Sequence, residues 1–520
     1  MKSEQNLKER AVGGAIWKFA EKLGMQLMQI VIQIVLARIL LPEDYGIIGL
    51  LSIFINISDV FILQGFTTAL IQKKDADSID YSSVFFANLL MSVVIYGVFY
   101  LISPAVSRFY NTPALCDVMR VMSINIIIGA FCAVHNAIVS KNLQFKISFI
   151  RNIANTVTQG IVGIGMACLG CGVWSLVGSK IAGTFVGMVI LCATVNWKPQ
   201  FVFSLQRIKG LFQYSSKVLA TNLLNTIFNN IHSLIIGRYF STVDVGYYQR
   251  GQQIPQAAMT AVDGSLTEVL YPTLSLLQNE PERLKSALRR SMKTSMYIIL
   301  PMLTGLMITA RPLTLLLLTD KWLPSVPFMQ LTCLITMFWP LSARSHALNA
   351  IGRSDVTLKL SIISKVLTLV MIVVCIPLGI YAIMWGTLIA SFASFWITSI
   401  YAKKYLNYFI KELFSDIGSS ILLSVGMAFV VVFLSKIKMA LLLSLMLQIF
   451  GGVVFYIALS AVLHLESFEY LLGMIRPVLK KFCKKVRTVY GEKNSFVRRF
   501  GTTGRRHRDS KAAGLLYGLV

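Results

Sequence analysis

The chain has 520 residues, 55% of them hydrophobic and only 14% charged, with a mean hydropathy of +0.68 and a formal net charge of +26. Such hydrophobicity excludes an ordinary soluble globular protein. Eight cysteines with a single close pair, Cys168 and Cys171 in an apolar turn, exclude a disulfide framework and give no metal site.

Apolar runs of about 20 residues, enough to cross the hydrocarbon of a bilayer, recur along the chain. Fourteen are predicted, at 12–38, 45–70, 82–107, 117–139, 148–169, 172–195, 211–237, 245–274, 288–310, 325–350, 357–376, 380–401, 417–435 and 440–463. In lipid every backbone polar group must bond within the segment, so the runs are predicted helices and the fold class is an all-α polytopic membrane protein. Lys and Arg gather in the connections after even-numbered runs, among them Lys73, Lys74, Arg289 and Arg290. Connections after odd-numbered runs hold Arg38, Arg108, Arg238, Arg311, Lys321, Lys436 and Lys438. The bias of positive charge toward the inside places the even connections and both termini in the cytoplasm. A charge distributed in this way marks topology and gives no nucleic-acid binder.

The first run carries Glu21, Lys22, Gln26, Gln29 and Gln33, spaced so that a polar stripe follows one side of a helix. Such residues face protein or water, as helix-to-helix bonding groups or as the wall of a hydrophilic cavity. The second run places Asp59 near mid-membrane, either paired with Lys22 or acting in proton coupling. His135, at the end of the fourth run, reads as a satisfied polar group. The sixth contains Lys180, deep enough to point to the centre of a bundle.

Residues 197–210 are the predicted hinge between two halves. The seventh run opens with Lys217 and carries Asn222, Asn225 and Asn229 in a second stripe. The eighth is the least lipid-like, with Gln249, Arg250, Gln252, Gln253, Gln256, Asp263 and Glu268; a helix this polar lines water or is buried in protein. Residues 280–293 read as a basic amphipathic segment on an anionic membrane face, or as charge that fixes topology. Arg344 and Lys365 lie inside the tenth and eleventh runs. The tail holds thirteen Lys or Arg between Arg476 and Lys511; its first part is expected along the inner leaflet and its end disordered.

Two echoes relate the halves. Ala37 to Gly46 (ARILLPEDYG) returns as Gly237 to Gly246 (GRYFSTVDVG), with Arg, Asp and Gly in register. Gly172-Val-Trp-Ser-Leu returns as Gly379-Ile-Tyr-Ala-Ile. Parallel repeats of membrane helices are a transporter design with the substrate between the halves. The predicted organisation is residues 1–200 (helices 1–6), 201–415 (helices 7–12), 416–465 (two added helices) and a basic tail, 466–520. No Walker A, HExxH, GxSxG or EF-hand pattern occurs, so neither an enzyme nor an ATP-driven pump is indicated and no cofactor is expected.

The run Arg38 to Gly46, with Gln144-Phe145, Gly246 to Arg250 and Ala350 to Arg353, resembles the Wzx-type polysaccharide flippases of the multidrug/oligosaccharidyl-lipid/polysaccharide (MOP) exporter superfamily, in the colanic-acid-exporter branch. The resemblance implies two pseudo-twofold six-helix lobes, two extra C-terminal helices and alternating access in the bacterial inner membrane. The implied cargo is an undecaprenyl-pyrophosphate-linked oligosaccharide, moved from the inner to the outer leaflet, with membrane lipid and polymer-assembly proteins as partners. A pyrophosphate crossing the membrane needs interior cations. Arg250 and Lys180, then Lys22, Lys217, Arg344 and Lys365, are the expected contacts. Gln26, Gln29, Gln33, Asn222, Asn225, Asn229 and Gln253 would face sugar, and Glu21, Asp59, Asp263 and Glu268 would serve as counter-ions or coupling groups. A drug/cation antiporter on the same fold and a non-transporting scaffold are the alternative expectations.

Overall fold

The structure is a computed structural model of the chain and describes residues 24–63, 66–73, 75–142, 144–437 and 439–473. Inside helices, the side chains of 145, 213–215, 217, 218, 264–269, 271 and 272 also lie outside this description, as do Glu21, Lys22 and the tail beyond residue 473.

All regular structure among the described residues is helical. The first half contains α1 (Gly24–Ile39), α2 (Pro42–Leu63), α3 (Phe66–Gln72), α4 (Ser78–Phe109), α5 (Ala114–Met122), α6 (Ile124–Lys141), α7 (Phe145–Cys168) and α8 (Val173–Thr194). The second contains α9 (Leu205–Tyr239), α10 (Thr242–Leu276), α11 (Pro281–Leu317), α12 (Val326–Thr336), α13 (Ala343–Ala350), α14 (Ser354–Cys375) and α15 (Ile380–Leu406). α16 (Ile410–Ser435) and α17 (Leu441–Val462) follow. Each predicted run falls on helix, and ten described spans are long and apolar enough to cross a membrane. The described part of α1, and α7, α9 and α10, fall outside those ten. Described residues up to Val453 belong to one compact unit and those from Val454 to another.

The repeated motif has a direct structural meaning. Its Asp starts a helix: Asp44 Oδ2 accepts the Leu41 amide at 2.9 Å, and Asp244 Oδ2 accepts the Ser241 amide at 3.2 Å. Ser241 Oγ accepts the Asp244 amide in return at 3.0 Å, completing a capping box. Its Gly lets the two helices so started cross in contact. A Cβ on Gly46 would stand 1.8 Å from the Thr242 carbonyl oxygen, and one on Gly246 would stand 2.1 Å from that of Pro42. Its Arg closes the preceding helix and reaches into the other half. Arg38 Nε donates to Leu317 O at 2.9 Å at the end of α11, while the Arg238 guanidinium lies 4.8 Å from the Phe109 ring centre at the end of α4. Each half thus grips the third membrane span of the other.

The second echo has its own cause. Gly172 (φ 53°) and Gly379 (φ 104°) occupy left-handed backbone just before α8 and α15, where a side chain would be strained.

The hinge is pinned to the first half. Asp80, fully buried at the start of α4, pairs with Lys73 at 2.6 Å and with Arg207 of α9 at 3.1 Å. Arg207 also meets Asp77 at 2.6 Å. The amides of Gln200 and Ser204 donate to Ser82 and Ser83 hydroxyls. Trp197 packs 5.3 Å from the His135 ring, whose Nδ1 lies 2.9 Å from Phe131 O. Residues 280–293, read from sequence as a basic amphipathic segment or as charge that fixes topology, form the start of α11, and Lys285, Arg289 and Lys293 meet acids of α16. Arg289 makes two bonds to buried Asp416 at 2.7 and 2.8 Å, and Lys285 meets Glu412 at 2.9 Å.

Two outcomes follow from this packing. Gly46→Ala drives a methyl into backbone and is expected to cost about 1–3 kcal/mol of this state, lowering Tm, whereas Gly97→Ala, with open space around it, does not. The Asp80 amide and the Arg207 guanidinium hold the Asp77 carboxyl down to about 2. A depressed carboxylate stabilises the fold above its ordinary range near 3.8, and that contribution fades as pH falls toward 2. Tm should accordingly stay level with respect to this group above about pH 4 and fall between about 4 and 2, and Asp77→Asn should flatten that part of the pH profile while Asp80 keeps its ion pair with Arg207.

Candidate functional site: a cavity between the halves

A cavity of about 1500 Å³ lies between the halves, walled mainly by five helices, α1, α2, α7, α8 and α10, with Met122 of α5 and Val139 and Ser140 of α6. Its walls explain the weak apolarity of three of the four helices left out of the membrane-crossing set: α1, α7 and α10 are polar where they face it. The lining carries carboxamides from all five helices except α8, namely Gln26, Gln29 and Gln33, then Asn56, then Asn152 and Gln159, then Gln249, Gln252, Gln253 and Gln256. Two cations join them, Lys180 and Arg250, and the described lining holds no carboxylate. At one end it is bounded by Leu36, Tyr45 and Leu176, next to the crossing of α2 and α10; toward the other it reaches Ser140 and Ser148, which flank the α6–α7 connection.

Arg250 sits at the sealed end, only 7% exposed. Its guanidinium carbon is 3.8 Å from the centre of the Tyr45 ring and 5.7 Å from that of Trp322. Its Nη1 donates to Gln33 Oε1 at 3.3 Å and to Gln253 Oε1. In the repeat, position 250 corresponds to Leu50, which is fully buried and packs where a Cβ on Gly237 would stand. One side of the pseudo-twofold is therefore closed with hydrocarbon and the other with a cation. Lys180, by contrast, is exposed to the open part, and Asp59 of α2 feels its charge. The partner expected for Asp59, Lys22, lies outside the described residues.

Of the predicted set, the structure brings Gln26, Gln29, Gln33, Lys180, Arg250 and Gln253 to one surface. It places others elsewhere. Arg344, 2% exposed, is built into the second half, donating to Leu341 O at 3.0 Å and Ser399 Oγ at 2.6 Å with Phe395 beside it. Lys365 donates to Asn225 and lies 5.1 Å from the Phe228 ring, a contact between α14 and α9. Asn222, Asn225 and Asn229 are not on the cavity surface. Neighbouring Asn230 accepts instead from Ser52 and Asn56 of α2, so Asn225 and Asn230 of the α9 stripe serve helix packing. Asp263 is not on the cavity surface and lies within electrostatic reach of His346. Glu21 and Lys22, and the side chains of Lys217 and Glu268, lie outside the described residues.

The polar face of α7 was not anticipated. Ser148, Asn152, Thr156 and Gln159 recur at intervals of four, four and three, a stripe as regular as that of α1, with Arg151 beside it donating to Asn136 and Asn152. Tyr45 and Trp322 were missed because their role depends on which ring meets which cation across the halves.

Burial separates these cations by what removal should do. Arg344→Met leaves its buried acceptors unpaired and is expected to cost about 1–3 kcal/mol, read as a lower Tm. Lys180→Met, at an open surface, should stay within about 0.5 kcal/mol of wild type.

Known proteins support the same architecture. A family model described as "Polysaccharide biosynthesis protein" matches residues 35–327. Among curated relatives, the succinoglycan biosynthesis transport protein ExoT of Rhizobium meliloti is 25% identical over 68% of this chain and 72% of its own. The lipopolysaccharide biosynthesis protein WzxC of Escherichia coli is 21% identical over 71% and 76%. A solved structure titled "Lipid II flippase MurJ, inward closed conformation" superposes with a TM-score of 0.73 at 16% identity, covering 86% of this chain and 99% of that one, so the two share a fold. With more than half of its length matched by that model, the chain belongs to the polysaccharide biosynthesis protein family, as the resemblance of its Arg38–Gly46 motif implied.

Proposed function

We propose that the protein is a flippase for a lipid-linked oligosaccharide whose phosphate-bearing headgroup passes through this cavity. The observation that carries the reading is the lining itself: two cations among ten carboxamides, with no carboxylate among the described lining residues. A phosphate or pyrophosphate headgroup needs fixed positive charge to leave water, and a guanidinium meets it with two parallel hydrogen bonds. Carboxamides both donate to and accept from sugar hydroxyls. At about 1500 Å³ the cavity exceeds the roughly 300–1,000 Å³ typical of drug-sized pockets, which suits a headgroup of several sugars. The names of the relatives, transport or biosynthesis proteins of succinoglycan and lipopolysaccharide, support this cargo class.

The direction follows from charge. With even connections in the cytoplasm, the mouth at Ser140 and Ser148 faces inward, next to Lys141 and Lys146, and the crossing of Gly46 and Gly246 seals the outer side. Residues 1–200 and 201–415 then act as the two lobes, with Lys180, one helical turn from Leu176, and Arg250 both deep in the cavity from that mouth. Rocking about the hinge would break the outer contact and close the inner mouth, alternating access to the two leaflets.

Vesicles carrying a labelled undecaprenyl-pyrophosphate oligosaccharide test the reading. Arg250→Ala is expected to reduce flipping at least about tenfold, the loss of one charge-assisted contact. Flipping at the wild-type rate would remove Arg250 from the cargo path.

A further inference from the structure

The Arg250 side chain belongs to the second half yet is held by the first. Gln33 of α1 accepts from it and Tyr45 of α2 lies flat against it at 3.8 Å. The Tyr45 ring in turn meets Trp322 edge-on at 5.4 Å, and Trp322 Nε1 donates to Ala37 O at 2.8 Å. Lys321 donates to Arg38 O and Leu40 O at 2.8 and 2.7 Å. The outer seal and the cation of the cavity are thus one continuous set of contacts, in which Arg250 joins the second half's side of the cavity lining to the first half.

A guanidinium has one set of donors and one pair of faces. An anion that takes Nη1 of Arg250 takes it from Gln33 and Gln253, and a bidentate pose draws the plane off Tyr45. We propose that Arg250 is a latch as well as a binding group: in the sealed state the first half and the anionic headgroup compete for it, so binding of the headgroup releases the seal. This rests on the reading that an anionic headgroup binds Arg250. By linkage, a ligand that binds better once a contact is broken favours the state without that contact, and weakening the contact tightens the ligand. A residue that only positioned Arg250 for its ligand would behave in the opposite way, its loss weakening binding. The sign of one substitution therefore decides between the two roles.

The test uses the full chain in lipid nanodiscs with inorganic pyrophosphate as probe, binding read by calorimetry and the seal by hydrogen–deuterium exchange in residues 36–46 and 314–324. Wild type is expected to bind pyrophosphate and to exchange faster in both segments when it does. Tyr45→Leu is expected to bind about tenfold more tightly and to exchange faster without ligand. Gln33→Ala, which removes no packed ring, should move the same way by about threefold, and Tyr45→Phe should match wild type. Equal or weaker binding by Tyr45→Leu and Gln33→Ala, with wild-type binding intact and lost in Arg250→Gln, would overturn the latch while the headgroup reading stands. Wild-type binding no tighter than that of Arg250→Gln would overturn the headgroup reading and the latch with it.

Discussion

The structure depends on a backbone-to-backbone crossing. α2 and α10 approach so closely at Gly46 and Gly246 that a single methyl on either would overlap the other's first-turn carbonyl. Everything on the sealed side is arranged around that approach. The Asp residues two positions earlier start the helices, the Arg residues of the preceding helices hold the opposite half, and Thr112 and Thr242 hydroxyls meet at 2.8 Å beside it. The two glycines supply the fit, and apolar side chains beside them, Ile47 and Leu50 of α2 with Val245 and Tyr248 of α10, share one buried cluster across the crossing. Further adhesion comes from a ring of hydrogen bonds to helix-end carbonyls, groups that would otherwise lack partners.

The hydrogen-bonded part of that adhesion suits the parting of the halves that we propose at this point. Contacts through carbonyls and cation–aromatic faces are separable one by one and can be replaced by water or ligand, unlike an interdigitated apolar core. The asymmetry at positions 50 and 250 then matters most. Leu50 fills its place with hydrocarbon, whereas Arg250 puts a charge at the equivalent position, where Gln33 and Tyr45 of the first half and Gln253 of its own helix satisfy it. A buried guanidinium without a carboxylate is costly unless its donors are used, which makes it responsive to any anion entering the cavity.

Much of this was legible in the chain. Hydropathy placed the predicted runs on helix among the described residues, and the motif repeat announced a twofold relation because Asp and Gly serve geometric needs that few other residues meet as well. The stripe of Gln26, Gln29 and Gln33 and the polarity of α10 pointed to the cavity because helical period fixes which residues share a face. Period does not say which neighbour that face meets. In the α9 stripe, equally regular, Asn225 and Asn230 turned to helix packing, and Arg344 and Lys365 turned into their own half, where Ser399 and Asn225 receive them. Nothing local distinguishes a cation that serves a cavity from one that ties two helices together. The α7 stripe carried a readable signal, four polar residues at helical spacing, hidden by its lack of charge.

The central claim is that the cargo's anionic group rests against Arg250 inside a cavity shared by the two halves. An electron cryomicroscopy structure with a short-chain pyrophosphate-linked oligosaccharide bound tests it most directly. Phosphate density is expected within hydrogen-bonding distance of the Arg250 guanidinium, with the sugars extending along the carboxamides of α1, α7 and α10 toward Ser140 and Ser148. Phosphate density outside the cavity, with Arg250 still stacked on Tyr45, would contradict it.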